Sequence, residues 1–404
     1  MDFKLIEQLL NLPRVHVSRI DFGEDEICIW LNISSSQHKC PRCGKFISTV
    51  TEERTVKVRD LPIFGKRCYL QIRKGRLHCE CSYRGYEALE FVDPHQRQTN
   101  RFNEFLFSLC DHMTIMDASD LAFVDWKKAY RTDRQVLEVL KADTPLPSMR
   151  VIGVDEISFE KYHRYFTIVY DISGDAGVLF VGKDRTSQSL NGFFEQLSPE
   201  QIENIQVVSM DMWDPYIKSI RENLPDADIV FDRFHPKKHL NQCIDQLRRS
   251  LVAQASSQEK RLIKDKRWVL LKKAVNHNEK DKKRLQELKE INSPLYEAYL
   301  AKEQFDQFWT LKSPTEATIF LDDWFAELSS SLAIAFEPFF KMIKKYISGI
   351  LTYFRHGVTN AKAEGLNNKI KVLKRAAYGY RDQTYFQLKI LRRCGYLKYA
   401  KPTF

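Results

Sequence analysis

The segment VIGVDEISF (residues 151–159) decides the fold, because it opens a series of three strand-like runs that follow one another closely. The runs YFTIVYDIS (165–173) and GVLFVGK (177–183) come next, each after a few turn residues. Short runs rich in apolar, β-branched and aromatic residues are typical of strands, and spacers of this length are typical of hairpins. The sequence therefore predicts three antiparallel strands in this region.

Beyond these runs, helical and strand-like patterns alternate. TSQSLNGFFEQL (186–197) has the period of an amphipathic helix, and IQVVSMD (205–211) is strand-like. The same two patterns recur in WDPYIKSIREN (213–223) and DIVFDRF (228–234). Because helical crossovers join parallel strands, the order βββαβαβ is that of a ribonuclease H-like sheet. We predict such an α/β catalytic core over residues 150–235.

Two aspartates lie at the ends of apolar strands in this core. Asp155 follows VIGV in the first strand, and Asp211 follows IQVVSM in the fourth. The first and fourth strands of a ribonuclease H-like sheet are neighbours, and two close carboxylates repel each other unless a cation neutralises them. Oxygen ligands at an open site suit Mg²⁺ or Mn²⁺. Glu156 should point to the opposite face of the strand.

A third carboxylate heads a basic segment, TNAKAEGLNNKIKVLKRAAYGYRD (359–382). Glu364 could complete a metal site, or it could merely complement the positive end of a helix dipole. Gly365 inside this helix costs roughly 1 kcal/mol against Ala, which suggests that DNA or another strand approaches the backbone closely. By the helical period, one broad stripe presents Asn360, Glu364, Asn367, Asn368, Lys371 and Arg375.

The C-terminal tenth of the chain is strongly basic. Residues 364–398 hold nine Lys and Arg against two acids, whereas the whole chain has a net charge of +10. Such a segment could be a solvated face, but basic residues interleaved with aromatic residues suit contacts with DNA phosphates and stacking on nucleobases. The predicted DNA contacts are Asn367, Asn368, Lys371, Lys374, Arg375 and Arg381, with Tyr378, Tyr380, Tyr385 and Phe386 as stacking candidates.

The N-terminal residues 1–95 predict a small β-rich module that binds zinc. Cys40 and Cys43 lie in CPRCGK, a tight turn, and Cys79 and Cys81 form a second short pair. Two such turns can supply four thiolates to a tetrahedral Zn²⁺. The second pair has one spacer residue fewer than usual, so His38 or His78 could replace a thiolate. Four buried structural cysteines are the other interpretation.

The remaining segments are predicted to be helical. Residues 98–145 contain three short amphipathic runs, which suggest a helix-turn-helix domain. TPLPSMR (144–150) is a proline-containing linker, and residues 236–355 form an all-helical insertion. The last part of the core, residues 356–404, then carries Glu364. The fold class is therefore a multidomain α+β protein in which the α/β core is interrupted by helices.

Composition excludes some classes of protein. The chain has 404 residues, of which 43% are hydrophobic and 29% charged, and it holds nine scattered cysteines. No uncharged apolar run approaches the roughly 18 residues that a membrane helix needs, and the N-terminus lacks a signal-peptide pattern. We expect a cytoplasmic protein without a disulfide framework and with a polyanionic partner.

Several ordered motifs resemble one known family. The Cys-Pro-x-Cys-Gly turn is followed by GVDE, SMDMWDPY, FDRFH and AEGLNNKIKVLKRAAYGYRD. Together they resemble the ISL-three family of bacterial insertion-sequence transposases, over most of the chain from about Cys40 to Arg393. The spacing of Cys79 and Cys81 departs from the family's wider pair.

The resemblance implies a DDE catalytic domain with Asp155, Asp211 and Glu364 as ligands of catalytic Mg²⁺. His235, in the Asp232-Arg233-Phe234-His235 signature, would orient the scissile phosphate or the attacking water, and Asp232 is the rival third ligand. The implied partners are the terminal inverted repeats of the element and target DNA, bound by at least a dimer in the bacterial nucleoid. The other hypotheses are a catalytically inactive DNA-binding regulator and a structure-selective nuclease.

Overall fold

The computed structural model describes residues 3–33, 38–47, 50–94, 96–160, 164–175, 177–264, 266–291 and 293–402. The chain forms two compact units. One comprises Met1–Pro145, Lys374–Arg393 and Leu397–Phe404, and the other comprises Leu146–Leu373 and Cys394–Tyr396. The assignment of residues 356–404 to the catalytic core stays a prediction.

The first unit begins with a β-rich module. Its elements are α1 (Lys4–Leu10), β1 (Val15–Phe22), β2 (Glu26–Ile33), β3 (His38–Lys39), β4 (Phe46–Ile47), β5 (Glu53–Ile63), β6 (Lys66–His78) and β7 (Arg84–Tyr86). The main sheet has the order β1-β2-β6-β5, β7 pairs with β6, and β3 pairs with β4. Strand β6 alternates buried and exposed residues, so Cys68, Leu70 and Ile72 enter the core together.

Three helices follow this module: α2 (Asn100–His112), α3 (Ile115–Ala122) and α4 (Trp126–Asp143). Each begins at a residue whose side chain accepts a backbone N–H bond: Thr99, Thr114 and Asp125. Small residues and Phe102 fill the space between the helices. Three short, capped helices with tight connections fit the predicted helix-turn-helix domain.

The second unit is built on a five-stranded sheet. Its first elements are β8 (Val151–Glu160), β9 (Arg164–Asp171), β10 (Val178–Lys183), α5 (Ser187–Phe194), α6 (Pro199–Asn204), β11 (Val207–Met210), α7 (Asp214–Asn223) and β12 (Asp228–Phe231). The strand order is β10-β9-β8-β11-β12. Strands β8, β9 and β10 are antiparallel neighbours, and β11 is parallel to both β8 and β12. The predicted contact between the first and fourth strands is confirmed, while the name ribonuclease H-like stays a prediction.

A helical block follows the sheet. It contains α8 (Phe234–Gln254), α9 (Ser257–Lys264), α10 (Arg267–Leu271), α11 (Glu279–Ile291), α12 (Ser293–Phe305), α13 (Pro314–Ala326), α14 (Ser330–Ala335) and α15 (Glu337–His356), with 3-10 turns at Ala274–Asn276 and Asp306–Thr310. Its aromatic core, with Phe305, Trp324 and Phe339 buried, is continuous with the core beneath the sheet. No helix among the described residues is both long and apolar enough to cross a membrane.

Two further helices and a 3-10 turn end the chain: α16 (Ala361–Ala376), α17 (Gln383–Cys394) and Tyr396–Tyr399. On α17, Tyr385 and Phe386 are buried, and the hydroxyl of Tyr385 donates to Asp133 of α4. Lys389 is also buried and donates to Asp133 at 3.2 Å. The prediction that Tyr385 and Phe386 stack on DNA bases is therefore wrong, because both side chains are buried.

Helix α15 packs very closely against strand β12. A Cβ atom added at Gly349 would lie 2.5 Å from the ring of Phe231. At Gly365 of α16, in contrast, an added Cβ would meet no described heavy atom within 4 Å. Among the described residues, no strand therefore approaches Gly365, while the approach of DNA there stays a prediction; the close contact within the chain is at Gly349.

These two glycines form a matched pair for a stability test. Gly349→Ala and Gly365→Ala gain the same helix propensity, about 1 kcal/mol, but only the first also forces Phe231 to move. We expect Gly349→Ala to be the less stable variant by about 1–3 kcal/mol, as for overpacked cores. Urea unfolding of both variants measures this difference, and equal midpoints would contradict the packing described.

Candidate functional site

The four cysteines of the N-terminal module converge on one point. The Sγ atoms of Cys40, Cys43, Cys79 and Cys81 all lie within 4.8 Å of one another. The Sγ atoms of Cys40 and Cys81 are 3.7 Å apart, and those of Cys43 and Cys79 are 3.4 Å apart. In a tetrahedral zinc site with Zn–S bonds of about 2.3 Å, neighbouring sulfur atoms are about 3.8 Å apart. The donor set therefore fits structural Zn²⁺.

The short spacer of the second pair does not displace Cys81 from the cluster. His38, the first candidate replacement, instead makes a buried contact between its Nδ1 and Glu87 Oε2 at 2.9 Å. Neither His38 nor His78 belongs to the cysteine cluster among the residues that the structure describes. All four ligands are therefore cysteines in this arrangement.

We expect the purified chain to carry about one equivalent of zinc, as a closed four-cysteine site does. Cys81→Ser should lose it, because the site would keep only three thiolates. Cys28→Ser is the control, since Cys28 lies outside the cluster. Zinc released by denaturation can be measured with a colorimetric chelator, and a Cys81→Ser protein that keeps its zinc would contradict this ligand set.

A second site lies on the sheet of the other unit, beside the middle of β8, where the parallel strands β11 and β12 end. Strands β8 and β11 are in parallel register from Val151 and Val207 to Val154 and Met210. The next residues are Asp155 and Asp211, so two aspartates emerge side by side from a buried sheet. Strand β12, parallel to β11, ends one residue before Asp232. Carboxyl ends of parallel strands are where open α/β sheets bind ligands.

Asp155 is held by two hydrogen bonds. The backbone N–H of Glu156 donates to Oδ1 at 2.7 Å, and the amide Nδ2 of Asn367 donates to Oδ2 at 2.7 Å. The hydroxyl of buried Tyr170 donates to Oδ1 of Asn367, which turns the amide nitrogen toward Asp155. This chain of bonds fixes the carboxylate and ties α16 to the sheet.

Glu156 also reaches the site. One carboxylate oxygen each of Asp155, Glu156 and Asp211 lie within 4.8 Å of one another. Strand β11 ends at Met210, so the edge of β8 beside Glu156 carries no paired strand on that side, and the long side chain of Glu156 can reach the two aspartates. The sequence predicted only that Glu156 points to the opposite face of the strand from Asp155, and it did not predict this proximity.

Asp211 also belongs to a second cluster, with Asp232 and His235. The Nε2 atom of His235 lies 2.7 Å from Oδ1 of Asp211. His235 is on the first turn of α8, and the backbone N–H of Phe234 donates to Asp232 at 3.0 Å, which shapes the turn that leads into this helix. The Asp-x-x-His signature thus brings its first and last residues together beside Asp211.

Glu364 is exposed and belongs to neither carboxylate cluster of the described residues. It lies on α16 three residues before Asn367, about one turn along a helix that Asn367 ties to Asp155. The predicted stripe divides in two: Asn360 and Asn367 are buried, whereas Asn368, Lys371, Arg375 and Arg381 are exposed and Lys374 is half-buried.

Burial and neighbouring charges change the proton affinities of Asp155, Glu156 and His235. Burial, and next the negative charge of Asp211, raise the pKa of Asp155 to about 7. The same two causes raise the pKa of Glu156, although Arg185 opposes them. Burial would lower the pKa of His235, but the hydrogen bond and charge of Asp211 outweigh it and the pKa is raised. Excess negative charge at a site of this kind suits a divalent cation.

A zinc-binding module, a helix-turn-helix and an acidic strand-end site are parts of a nucleic-acid-processing protein. Three family models match them. A transposase model of the ISL3 family matches residues 152–390, the zinc-finger of transposase IS204/IS1001/IS1096/IS1165 matches residues 36–81, and the helix-turn-helix domain of transposase family ISL3 matches residues 87–134.

Whole-length relatives agree with these matches. The transposase for insertion sequence element IS1001 of Bordetella parapertussis is 32% identical over 397 residues, covering 96% of this chain and 98% of that protein. The transposase for IS1557 of Mycobacterium tuberculosis H37Rv is 24% identical over 432 residues, covering 97% and 96%. The chain therefore belongs to the ISL3 family of transposases, as the sequence motifs predicted.

The raised pKa of Asp155 has a consequence for stability. Its value of about 7, against an ordinary 3.8, means that the folded chain holds this proton more tightly than the unfolded chain. Without divalent metal, the free energy of unfolding should therefore fall as pH rises between these values, and then level off.

Asp155→Asn should remove this contribution, which is at most about 4 kcal/mol. We expect the variant to gain stability over the natural protein from pH 5 to pH 8, as measured by urea unfolding in EDTA. Asp322→Asn, at an exposed residue of α13, is the control. Parallel pH profiles for the natural protein and Asp155→Asn would argue against the raised pKa.

Proposed function

We propose that this transposase binds the terminal inverted repeats of its own element, cleaves DNA at the element ends and joins them to target DNA. The observation that carries the proposal is the pair of aspartates on neighbouring parallel strands, Asp155 and Asp211, whose oxygens approach each other with that of Glu156. Carboxylates held this close bind cations readily. The sheet would be a ribonuclease H-like catalytic core.

Asp155, Asp211 and Glu364 are the proposed ligands of catalytic Mg²⁺. The two aspartates are supported by the short distance between their carboxylate oxygens. Glu364 is supported by its position about one turn from Asn367, on a helix that is hydrogen-bonded to Asp155. Asp232 and Glu156 are the rivals, because both already lie in the carboxylate clusters. Bound Mg²⁺ would polarise the phosphodiester and lower the pKa of the attacking hydroxyl or water.

The proposed reaction has two displacements at phosphorus. In cleavage, water loses a proton as its oxygen bonds to phosphorus, the bond from phosphorus to the 3′ oxygen of the element end breaks, and that 3′ oxygen takes up a proton. In joining, the new 3′-hydroxyl loses its proton and bonds to a phosphorus of target DNA, which releases a target 3′-hydroxyl. His235, held by Asp211 at 2.7 Å, is placed to orient the phosphate or the water.

DNA recognition is proposed for the first unit and for the exposed side of α16. The helix-turn-helix would read the repeat sequence, while the zinc module supports it. Asn368, Lys371 and Arg375 are exposed and would contact phosphates, with Lys374 and Arg381 beside them. Joining two element ends would require at least a dimer on DNA.

An assay of cleavage and joining tests this function. The substrate is a DNA fragment with the terminal repeat that flanks the element, incubated with Mg²⁺ or with EDTA. We expect Mg²⁺-dependent nicking at the repeat boundary, and a loss of at least about 10³-fold in Asp155→Ala, Asp211→Ala and Glu364→Ala, because each variant loses a proposed ligand of the Mg²⁺ that would stabilise the transition state. Binding to the repeat should survive in all three variants.

The matched variants Glu156→Gln and Asp232→Asn identify the third ligand. Cleavage that persists in Glu364→Ala but is lost in one of these two would move the third ligand to that residue. Repeat binding without cleavage by the natural protein would favour a DNA-binding regulator. Cleavage without insertion of precut ends into plasmid DNA would favour a nuclease.

A further inference from the structure

Arg185 lies at the carboxylate site, but it belongs to none of the sequence motifs that predicted this site. Its Nη1 donates to Oε1 of Glu156 at 3.0 Å, and Glu156 shares the cluster with Asp155 and Asp211. Arg185 follows strand β10 by two residues and precedes Ser187, the first residue of α5. Strands β10 and β8 are both antiparallel to β9, so they run in the same direction and end at the same edge of the sheet.

Aromatic rings hold the guanidinium in place. The Cζ atom of Arg185 lies 4.1 Å from the ring centre of Trp213 and 5.0 Å from that of Tyr165. The indole Nε1 of Trp213 also donates to the backbone carbonyl of Arg185 at 3.2 Å. Guanidinium groups stack on aromatic faces, and such contacts reduce the entropy that is lost when the group binds a ligand.

The guanidinium still has donors to offer. An arginine has five N–H donors in a planar fork, and within the described residues the side chain of Arg185 makes one hydrogen bond, through Nη1. The side chain is 36% exposed. Its unused N–H groups therefore face solvent beside the carboxylates, and a planar fork suits the non-bridging oxygens of a phosphate.

We propose that Arg185 binds a non-bridging oxygen of the phosphodiester that is cut, and that Trp213, Tyr165 and Glu156 position it to do so. The inference rests on the proposed function of the site. As water adds to phosphorus and the bond to the 3′ oxygen breaks, negative charge on the non-bridging oxygens changes, and a fixed guanidinium stabilises it. Arg185 exchanges no proton or electron in this step.

The test is the single-turnover rate of cleavage, measured with the full chain in excess over repeat DNA. Arg185→Ala should slow cleavage by about 10²-fold with little change in repeat affinity, and guanidinium ion at a non-denaturing concentration should restore part of the rate. Arg185→Lys keeps the charge but lacks the planar fork, so its cleavage rate should lie between those of the natural protein and Arg185→Ala. Arg221→Ala, an exposed arginine on α7, controls for a general loss of positive charge.

A second comparison separates phosphate binding from a brace on Glu156. If Arg185 only held Glu156, then Glu156→Gln would slow cleavage as much as Arg185→Ala, the double variant would be no slower, and guanidinium would not help. That result would overturn the proposal while leaving the transposase function intact, and so would an Arg185→Ala variant that cleaves as fast as the natural protein. If the natural protein does not cleave the repeat DNA, both the role of Arg185 and the proposed function of the site are overturned.

Discussion

The mutual repulsion of carboxylates at one edge of a sheet governs the second unit. Parallel pairing of β8 with β11 forces Asp155 and Asp211 to emerge as neighbours, and the end of β11 lets Glu156 join them. Burial strengthens every one of these repulsions, since the local dielectric constant is low. The surrounding groups are those that reduce the cost: an amide on Asp155, an imidazole on Asp211 and a guanidinium on Glu156.

Helix α16 depends on this arrangement for its position. Ala363, Asn367 and Ile370 face inward at spacings of four and three residues, which is the period of one helical face. Asn367 adds a directed bond to Asp155 where an apolar residue would supply only packing. The same helix therefore fixes a proposed metal ligand from its buried side and exposes Glu364 and Lys371 on its open side.

Periodicity and strand order made much of this predictable. The strand order, the adjacency of Asp155 to Asp211 and the four zinc-binding cysteines each follow from short-range patterns combined with topology. The place of Asn367 and Glu156 at the carboxylate site was not predicted, for a different reason. Asn367 is adjacent to Asn368, and only packing decides which of two neighbouring asparagines faces the sheet. Alternation along β8 predicts the face from which Glu156 leaves the strand, but not how far its long side chain reaches.

Formal charge alone does not show which basic residues are available to a phosphate, because it counts basic residues that the fold already uses. On α17, Lys389 is buried against Asp133, and Arg392 donates to Asp111 at 2.8 Å. These bases stabilise the first unit and are poorly placed to release counterions from DNA. In the C-terminal segment, the exposed basic residues therefore include Lys369, Lys371 and Arg375 of α16.

Residues 260–289 of the helical block hold twelve Lys and Arg against four acidic residues, so they carry at least as much formal charge as the C-terminal segment. There too, Lys266 and Lys272 are engaged with Glu287 and Asp281, so burial and pairing, rather than the sum of charges, determine which bases can meet a phosphate.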